Sequence, residues 1–353
     1  APDVVRADLD KDYQPPQGPA EEVLGEIWRD VLRIERVGRH DNFFELGGDS
    51  ILSIQIVARA RQAGLRITPR HLFQHQSLAG LAQVAEIAEH VAADQGVVTG
   101  SLPLTPIQHW FLGQGLEAPD HWNMVWVMES TQPLEPEKLD LVVAALLEHH
   151  DALRIRLSLD SAQPIQTLAE PGGQTPLAVT DLSHLAPAEA EAAYLREANL
   201  LHTTLYLAEG PLVRVMLFKF GENRADRILI VVHHVAIDGV SWRILLDDFQ
   251  AAYEQLLEGQ SIALPPKTTS FKDWAERLVA YVQSEALKDE IAYWQATLAK
   301  PSARLPRDFE GGINTVASTQ IVTVELEEED TRALLQDVPE VYNTRINDVL
   351  LAC

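Results

Sequence analysis

Apolar positions recur along this chain with two different periods, and the change of period divides it. Leu24, Ile27, Trp28, Val31 and Leu32 fall at three- and four-residue spacing, which gathers them on one helix face. Pro19 suits the first turn of that helix, where a missing N–H costs nothing. A second helix is expected from near Ser50 to Gly64, a glycine placed to close it. Thr68 with Pro69, and then Ser77, predict the starts of one short and one ordinary helix. Residues 17–90 therefore read as an all-α four-helix bundle.

Residues 91–106, VAADQGVVTGSLPLTP, have the Gly, Thr, Ser and Pro content of a connector. Beyond them the pattern becomes mixed α/β. WNMVWVM at 122–128 and LVRVMLFKF at 212–220 predict strands, whereas Leu139, Val143, Leu146, Leu147 and His150 form one stripe of a helix over 136–150. A further helix carries Trp242, Leu245, Leu246, Phe249, Tyr253 and Leu256 and closes at Gly259. Before it stands ILIVVHHVAIDGVSW, 228–242, an apolar strand running into two histidines. Neighbouring side chains on an extended segment point to opposite faces, so His233 and His234 cannot do the same job there, and one is expected to be structural and the other chemical. INDVLLAC at 346–353 predicts a buried helix after a cap at Asn343 or Thr344; it lacks a stop signal, so the α/β domain is expected to be incomplete.

Composition narrows the function classes. At 353 residues, two to three domains are expected. A formal net charge of -24 argues against nucleic acid and anionic membranes, both of which reward basic patches. No apolar run approaches a bilayer span and no signal peptide opens the chain, so a cytoplasmic location is expected. The single cysteine, Cys353, excludes internal disulfides and a cysteine-based zinc cluster within the chain, and no metal is expected.

DNFFELGGDSILSIQIVARAR, 41–61, puts Gly47 and Gly48 in a loop and Asp49 and Ser50 at a helix start. Asp and Ser are ordinary capping residues, and a lone pair of this kind usually does only that. The stretch, however, resembles acyl and peptidyl carrier proteins, whose LGG(H/D)S signature lies between two helices of a bundle of about this size. The resemblance implies 4'-phosphopantetheine carried on Ser50. An anionic phosphodiester there suits a helix N-terminus, where unpaired N–H groups and the macrodipole favour negative charge. His71 and His75 are expected on the surface of this region. Aspartate at 49 resembles carriers that precede epimerization domains.

HHVAIDG at 233–239 resembles the HHxxxDG motif of the condensation-domain superfamily of nonribosomal peptide synthetases, whose fold is related to chloramphenicol acetyltransferase. LPLTPIQHWF at 102–111 and EHHDALRIRL at 148–157 are similar to further motifs, in family order. The resemblance implies a two-lobed α/β domain with His234 facing a tunnel and doing acid/base work, and His233 in support. It makes Asp238 the scaffold residue and Arg154 its ion-pair partner. Gly239 is expected to allow a turn that a side chain could obstruct. Ser241 is expected to cap a helix rather than act as a nucleophile, Trp242 belongs to the core, and Trp110 is a candidate lining residue. His109, His149 and His150 occupy motif positions with no assigned chemistry. DGVSWRIL, where peptide-bond-forming members usually continue DGWS, resembles the epimerization type.

The implied organisation is a linker from an upstream domain at 1–16, a peptidyl carrier at 17–90 and a linker at 91–100. An epimerization N-terminal lobe follows at 101–270, and 271–353 begin its second lobe. The implied activity is L-to-D epimerization of an aminoacyl or peptidyl thioester, with a second acid/base group expected beyond Cys353. Condensation by the same histidine, and a noncatalytic carrier and docking unit, are the alternatives. Expected partners are an upstream adenylation domain, a phosphopantetheinyl transferase and a downstream condensation domain.

Overall fold

The structure is a computed structural model that describes residues 13–87, 93–130, 132–159, 164–221, 224–299, 306, 309, 311–312, 315–342, 344 and 346–352. Most of the expected leading linker, residues 88–92, Asn343 and Cys353 lie outside these. Helix α1 (Pro19–Leu32) starts on its proline; α2 (Ser50–Gln62), the strand β1 (Leu65–Arg66), α3 (Pro69–Gln74), α4 (Leu78–Gln83) and β2 (Glu86–Ile87) follow. Leu24, Trp28, Phe43, Ile56, Leu72, Leu78 and Leu81 share one core at 0% exposure, with Trp28 and Phe43 ring centroids 5.2 Å apart. The helix after Ser77 is shorter than expected. It stops at Gln83 because the chain then pairs Glu86–Ile87 antiparallel with Leu65–Arg66, which satisfies backbone groups a longer helix would have used.

The α/β region runs β3 (Gly100–Leu102), α5 (Pro106–Gly113), β4 (Asn123–Glu129), α6 (Pro136–His149), a 3₁₀ turn at Asp151–Arg154, β5 (Ile155–Ser158), β6 (Ile165–Leu168), β7 (Leu177–Asp181), α7 (Pro187–Leu201), β8 (Val213–Lys219), β9 (Arg227–His233), α8 (Gly239–Leu257) and α9 (Phe271–Val282). One sheet has the order β4-β9-β8-β7, antiparallel except for β7 beside β8; a second has the order β3-β6-β5.

The central strand β9 is buried on both faces, which is why it reads as an unbroken apolar run. Ile228, Ile230 and Val232 join a core with Leu139, Val142 and Val143 of α6 and Trp242, Leu245 and Phe249 of α8. Leu229 and Val231 point the other way, to Ala190, Ala193 and Tyr194 of α7. The two-residue alternation thus carries down to the histidines at its end.

Helix α10 (Glu285–Leu298) crosses the boundary between two compact units, residues 1–290 and 291–353. In the second unit, α11 (Glu328–Arg332), α12 (Val338–Tyr342) and α13 (Ile346–Ala352) are short. α13 forms where a helix is expected, but it is not buried: Leu351 is 86% exposed. Its 7 residues make barely two turns, and among the described residues it packs chiefly on α12 and the helical turn at 333–337. Among the described residues no helix is long and apolar enough to cross a membrane.

Candidate functional site

Ser50 is exposed and is the first residue of α2, but it does not cap the helix. Asp49 does: its Oδ1 accepts the N–H groups of Ile51 at 2.8 Å and Leu52 at 2.7 Å. With the cap supplied next door, the Ser50 hydroxyl is available at a helix N-terminus. The loop in front is tightly drawn. Gly47 has φ +92°, and a Cβ on Gly48 would stand 2.4 Å from the Phe43 ring and 2.5 Å from the Phe43 carbonyl oxygen.

The two histidines at the end of β9 meet opposite fates. His233 is 0% exposed. Its Nε2 donates to the Pro119 carbonyl at 2.8 Å and its Nδ1 accepts the Val235 N–H at 3.1 Å, so both nitrogens are satisfied in the neutral ring. Burial pushes this imidazole below its ordinary basicity, against the Pro119 hydrogen bond and the Asp120 charge, which favour the cation. The Phe111 ring stands edge-on at 5.8 Å. His233 is built as core.

His234 is exposed. Its backbone N–H reaches the Trp122 carbonyl at 2.8 Å, and its Nδ1 lies 2.8 Å from the Ile237 carbonyl oxygen. A carbonyl can only accept, so the proton of the neutral ring sits on Nδ1. Nε2 then carries the lone pair, with no hydrogen-bond partner among the described residues. That is the state required of a proton acceptor.

Three supporting expectations change. Arg154 does not pair with Asp238. It is 4% exposed and pairs with Asp151, while also donating to Leu147 O at 2.8 Å, Val98 O at 3.2 Å and Ala169 O at 2.5 Å. It therefore binds the segment before β3 to the end of α6, because Asp151 is on its own 3₁₀ turn and leaves it no charge to seek elsewhere. Asp238 is instead the cap of α8, accepting from Ser241 N–H at 2.8 Å and Ser241 Oγ at 2.6 Å. Burial disfavours the charged Asp238 carboxyl, but these hydrogen bonds, with Val240 N–H and the field of His234, outweigh it and hold the group below the usual carboxylate range. Ser241 is thus the partner of the cap, not the cap. Gly239 is not needed for a turn: it lacks a positive φ, and a Cβ there would meet nothing within 4 Å.

Trp242 is core at 2% exposure, whereas Trp110 is 54% exposed. His109 is exposed; His71 and His75 are half-buried rather than on the open surface. A cavity of about 520 Å³ lies between α2 and α8, reached by Ile54 and Arg59 on one side and Ile244 and Asp247 on the other. Neither Ser50 nor His234 lines it. Arg59 comes within 3.7 Å of Asp247, a solvent-exposed pair of little energetic weight. Sequence reasoning missed the two groups that orient the histidines, since Pro119 and Ile237 act through backbone oxygens that no side-chain pattern announces. It also left His149 and His150 without a partner; the structure brings Asp248 to them.

Two families match separate stretches of the chain. Residues 22–85 match the family described as phosphopantetheine attachment site, and residues 98–353 match the family described as condensation domain. A linear gramicidin synthase protein of Brevibacillus parabrevis is 47% identical over 343 residues, 97% of this chain and 4% of that protein. Tyrocidine synthase 1 of the same species is 35% identical over 99% of this chain and 32% of its own length. The chain thus spans a third or less of either relative. Among solved structures, the epimerization domain from the third module of tyrocidine synthetase B is similar at 35% identity and a TM-score of 0.66, covering 73% of this chain and 57% of that one. A starter condensation domain of rhizomide synthetase shares the fold at 22% identity and a TM-score of 0.50.

Proposed function

Given that the chain belongs to the condensation-domain family and carries a phosphopantetheine attachment region ahead of that domain, we propose that it inverts the α-carbon of an aminoacyl or peptidyl thioester held on its own carrier. The observation that carries proton transfer is the His234 ring, pinned at Nδ1 by the Ile237 carbonyl with Nε2 left as an accessible base. What inclines the reading to inversion rather than bond formation is DGVSWRIL, together with the likeness to an epimerization domain at 35% identity.

Ser50 fits 4'-phosphopantetheine: its hydroxyl is exposed and Asp49 relieves it of capping. The arm supplies a flexible tether and a thioester that makes the neighbouring C–H more acidic. In this reading 17–90 is the carrier, 101–270 the first lobe of the domain, and the residues from 271 open the second. His234 Nε2 takes the Cα proton as the C–H bond breaks, and a proton returns to the opposite face of the same carbon. Because a single imidazole reaches one face, a second donor stands across the substrate. Asp238 keeps the loop in place through its cap on α8, and His233 holds the strand end. An adenylation domain that loads the carrier, a phosphopantetheinyl transferase and a downstream condensation domain are the implied partners.

The test is to load Ser50 with an L-aminoacyl pantetheine arm in deuterated water. Deuterium entering Cα supports inversion. A new amide on adding an acceptor thioester supports condensation, and neither leaves a carrier and docking unit. His234→Ala should slow the wash-in by about 10²–10⁴-fold; wash-in as fast as the parent would remove His234 from the chemistry.

A further inference from the structure

Helix α6 ends at His149, His150 follows as its C-cap, and α8 carries Asp248 up to both. His150 Nε2 lies 2.9 Å from Asp248 Oδ2, but the contact is not aligned as a hydrogen bond, and this nitrogen is buried with no other partner among the described residues. The His149 ring stands edge-on to His150, with centroids 4.9 Å apart. One ligand atom from each of the three groups lies within 4.8 Å of the others.

Charge around the cluster favours a cation. Asp248 is 7% exposed, and a buried carboxylate is costly unless something positive compensates it. The other carboxylates lining the cavity have permanent cations: Asp247 has Arg59, and Asp151 has Arg154 and Lys267. Among the described residues Asp248 has only the imidazoles of His149 and His150 beside it. Lys267 is the positive group nearest in kind, yet its ammonium is engaged by Asp151 at 3.3 Å and the Gly96 carbonyl at 2.8 Å.

We propose that His149, His150 and Asp248 form a site for one divalent transition-metal ion of the zinc class, tying the end of α6 to α8. Two imidazoles and a carboxylate are a borderline-soft donor set suited to Zn²⁺, which such ligands hold at about 2.0–2.2 Å. The remaining coordination position opens to the cavity of about 520 Å³, where water completes the shell. α8 begins at the residue after Asp238, so the ion steadies the helix that follows the His234 loop without touching the reacting atoms.

Titrating the chelator-treated full chain with CoCl2 tests this, because cobalt held by imidazole and carboxylate has visible absorption bands. One equivalent should bind and be displaced by ZnCl2, and zinc should raise the melting temperature. Asp248→Asn and His149→Gln should weaken binding by more than the roughly 10–100-fold that losing an outer partner costs. His121→Gln, at the imidazole stack with His202, should leave the titration unchanged. If Asp248→Asn does not fold by circular dichroism, His149→Gln, at the half-buried end of the cluster, decides the matter. A parent chain that binds no cobalt, or a His149→Gln chain that binds as the parent does, overturns the site and leaves His150 and Asp248 as a side-chain contact alone.

Discussion

Both α2 and α8 begin behind an aspartate cap, and the loop or first turn at each carries a candidate chemical group. Asp49 and Asp238 do the same work, taking backbone N–H groups of the first turn. The glycines beside them do not. Gly48 is pressed against Phe43, itself at the centre of the helical core, and has no space for even one carbon. Gly239 is the first residue of α8, where a Cβ would meet nothing within 4 Å. The candidate groups differ in place too: Ser50 is the first residue of its helix, whereas His234 lies in the loop ahead of α8. Similar spacing in sequence therefore hides different constraints, set by what lies across from each turn.

The sharpest way to test the contrast is at the serines near the two caps. Ser50→Ala should abolish attachment of 4'-phosphopantetheine by a phosphopantetheinyl transferase, whereas Ser241→Ala should leave it complete, as read by intact mass. Next come the glycines. Gly48→Ala should destabilise the helical region by about 1–3 kcal/mol, the usual cost of overpacking, while Gly239→Ala should stay within about 0.5 kcal/mol; hydrogen exchange over α1 and α2 in rising urea reads the first. Equal effects at the two positions would break the comparison.

The caps should behave alike. Asp49→Ala and Asp238→Ala should each cost about 1 kcal/mol of local helix stability, measured by hydrogen exchange over the first turns of α2 and α8. The smallest effect is spread over pH. Burial lowers the basicity of His233 from its ordinary 6.5, so the unfolded chain binds the proton more readily than the folded one. Its contribution is complete above that value and is lost as the pH falls towards the lowered folded value. The half-buried His149 and His202 shift in the same direction. The melting temperature should therefore drop on acidification below about pH 6.5, and His233→Asn should flatten the drop; a rise on acidification would contradict the buried neutral ring.

Much of the fold is legible in residue order. Helical spacing locates α1, α6 and α8, and the apolar run at 228–232 locates β9, because burial of one stripe or of both strand faces writes itself into the chain. The alternation at 233–234 separates a structural from an accessible histidine for the same reason. Short-range chemistry is legible as well, as in the cap at Thr68, whose Oγ1 accepts the His71 N–H at 3.1 Å. Less legible is the helix after Ser77, whose length is set by strand pairing with residues some twenty positions earlier rather than by its own propensity.

By itself, then, the sequence determined the apolar faces of α1, α6, α8 and β9, where the helices after Asp49, Thr68 and Ser77 begin, and which side chains stand at the two candidate centres, since these follow from local periodicity and capping. Only the tertiary structure decided the partners. It gave Arg154 to Asp151 instead of Asp238, turned Nδ1 of His234 to a backbone carbonyl, closed the space at Gly48 while leaving Gly239 free, and set Asp248 beside His149 and His150. Each of these depends on groups brought together across distant stretches of chain, or on backbone atoms that every residue shares. Residue order alone does not encode which of them will meet.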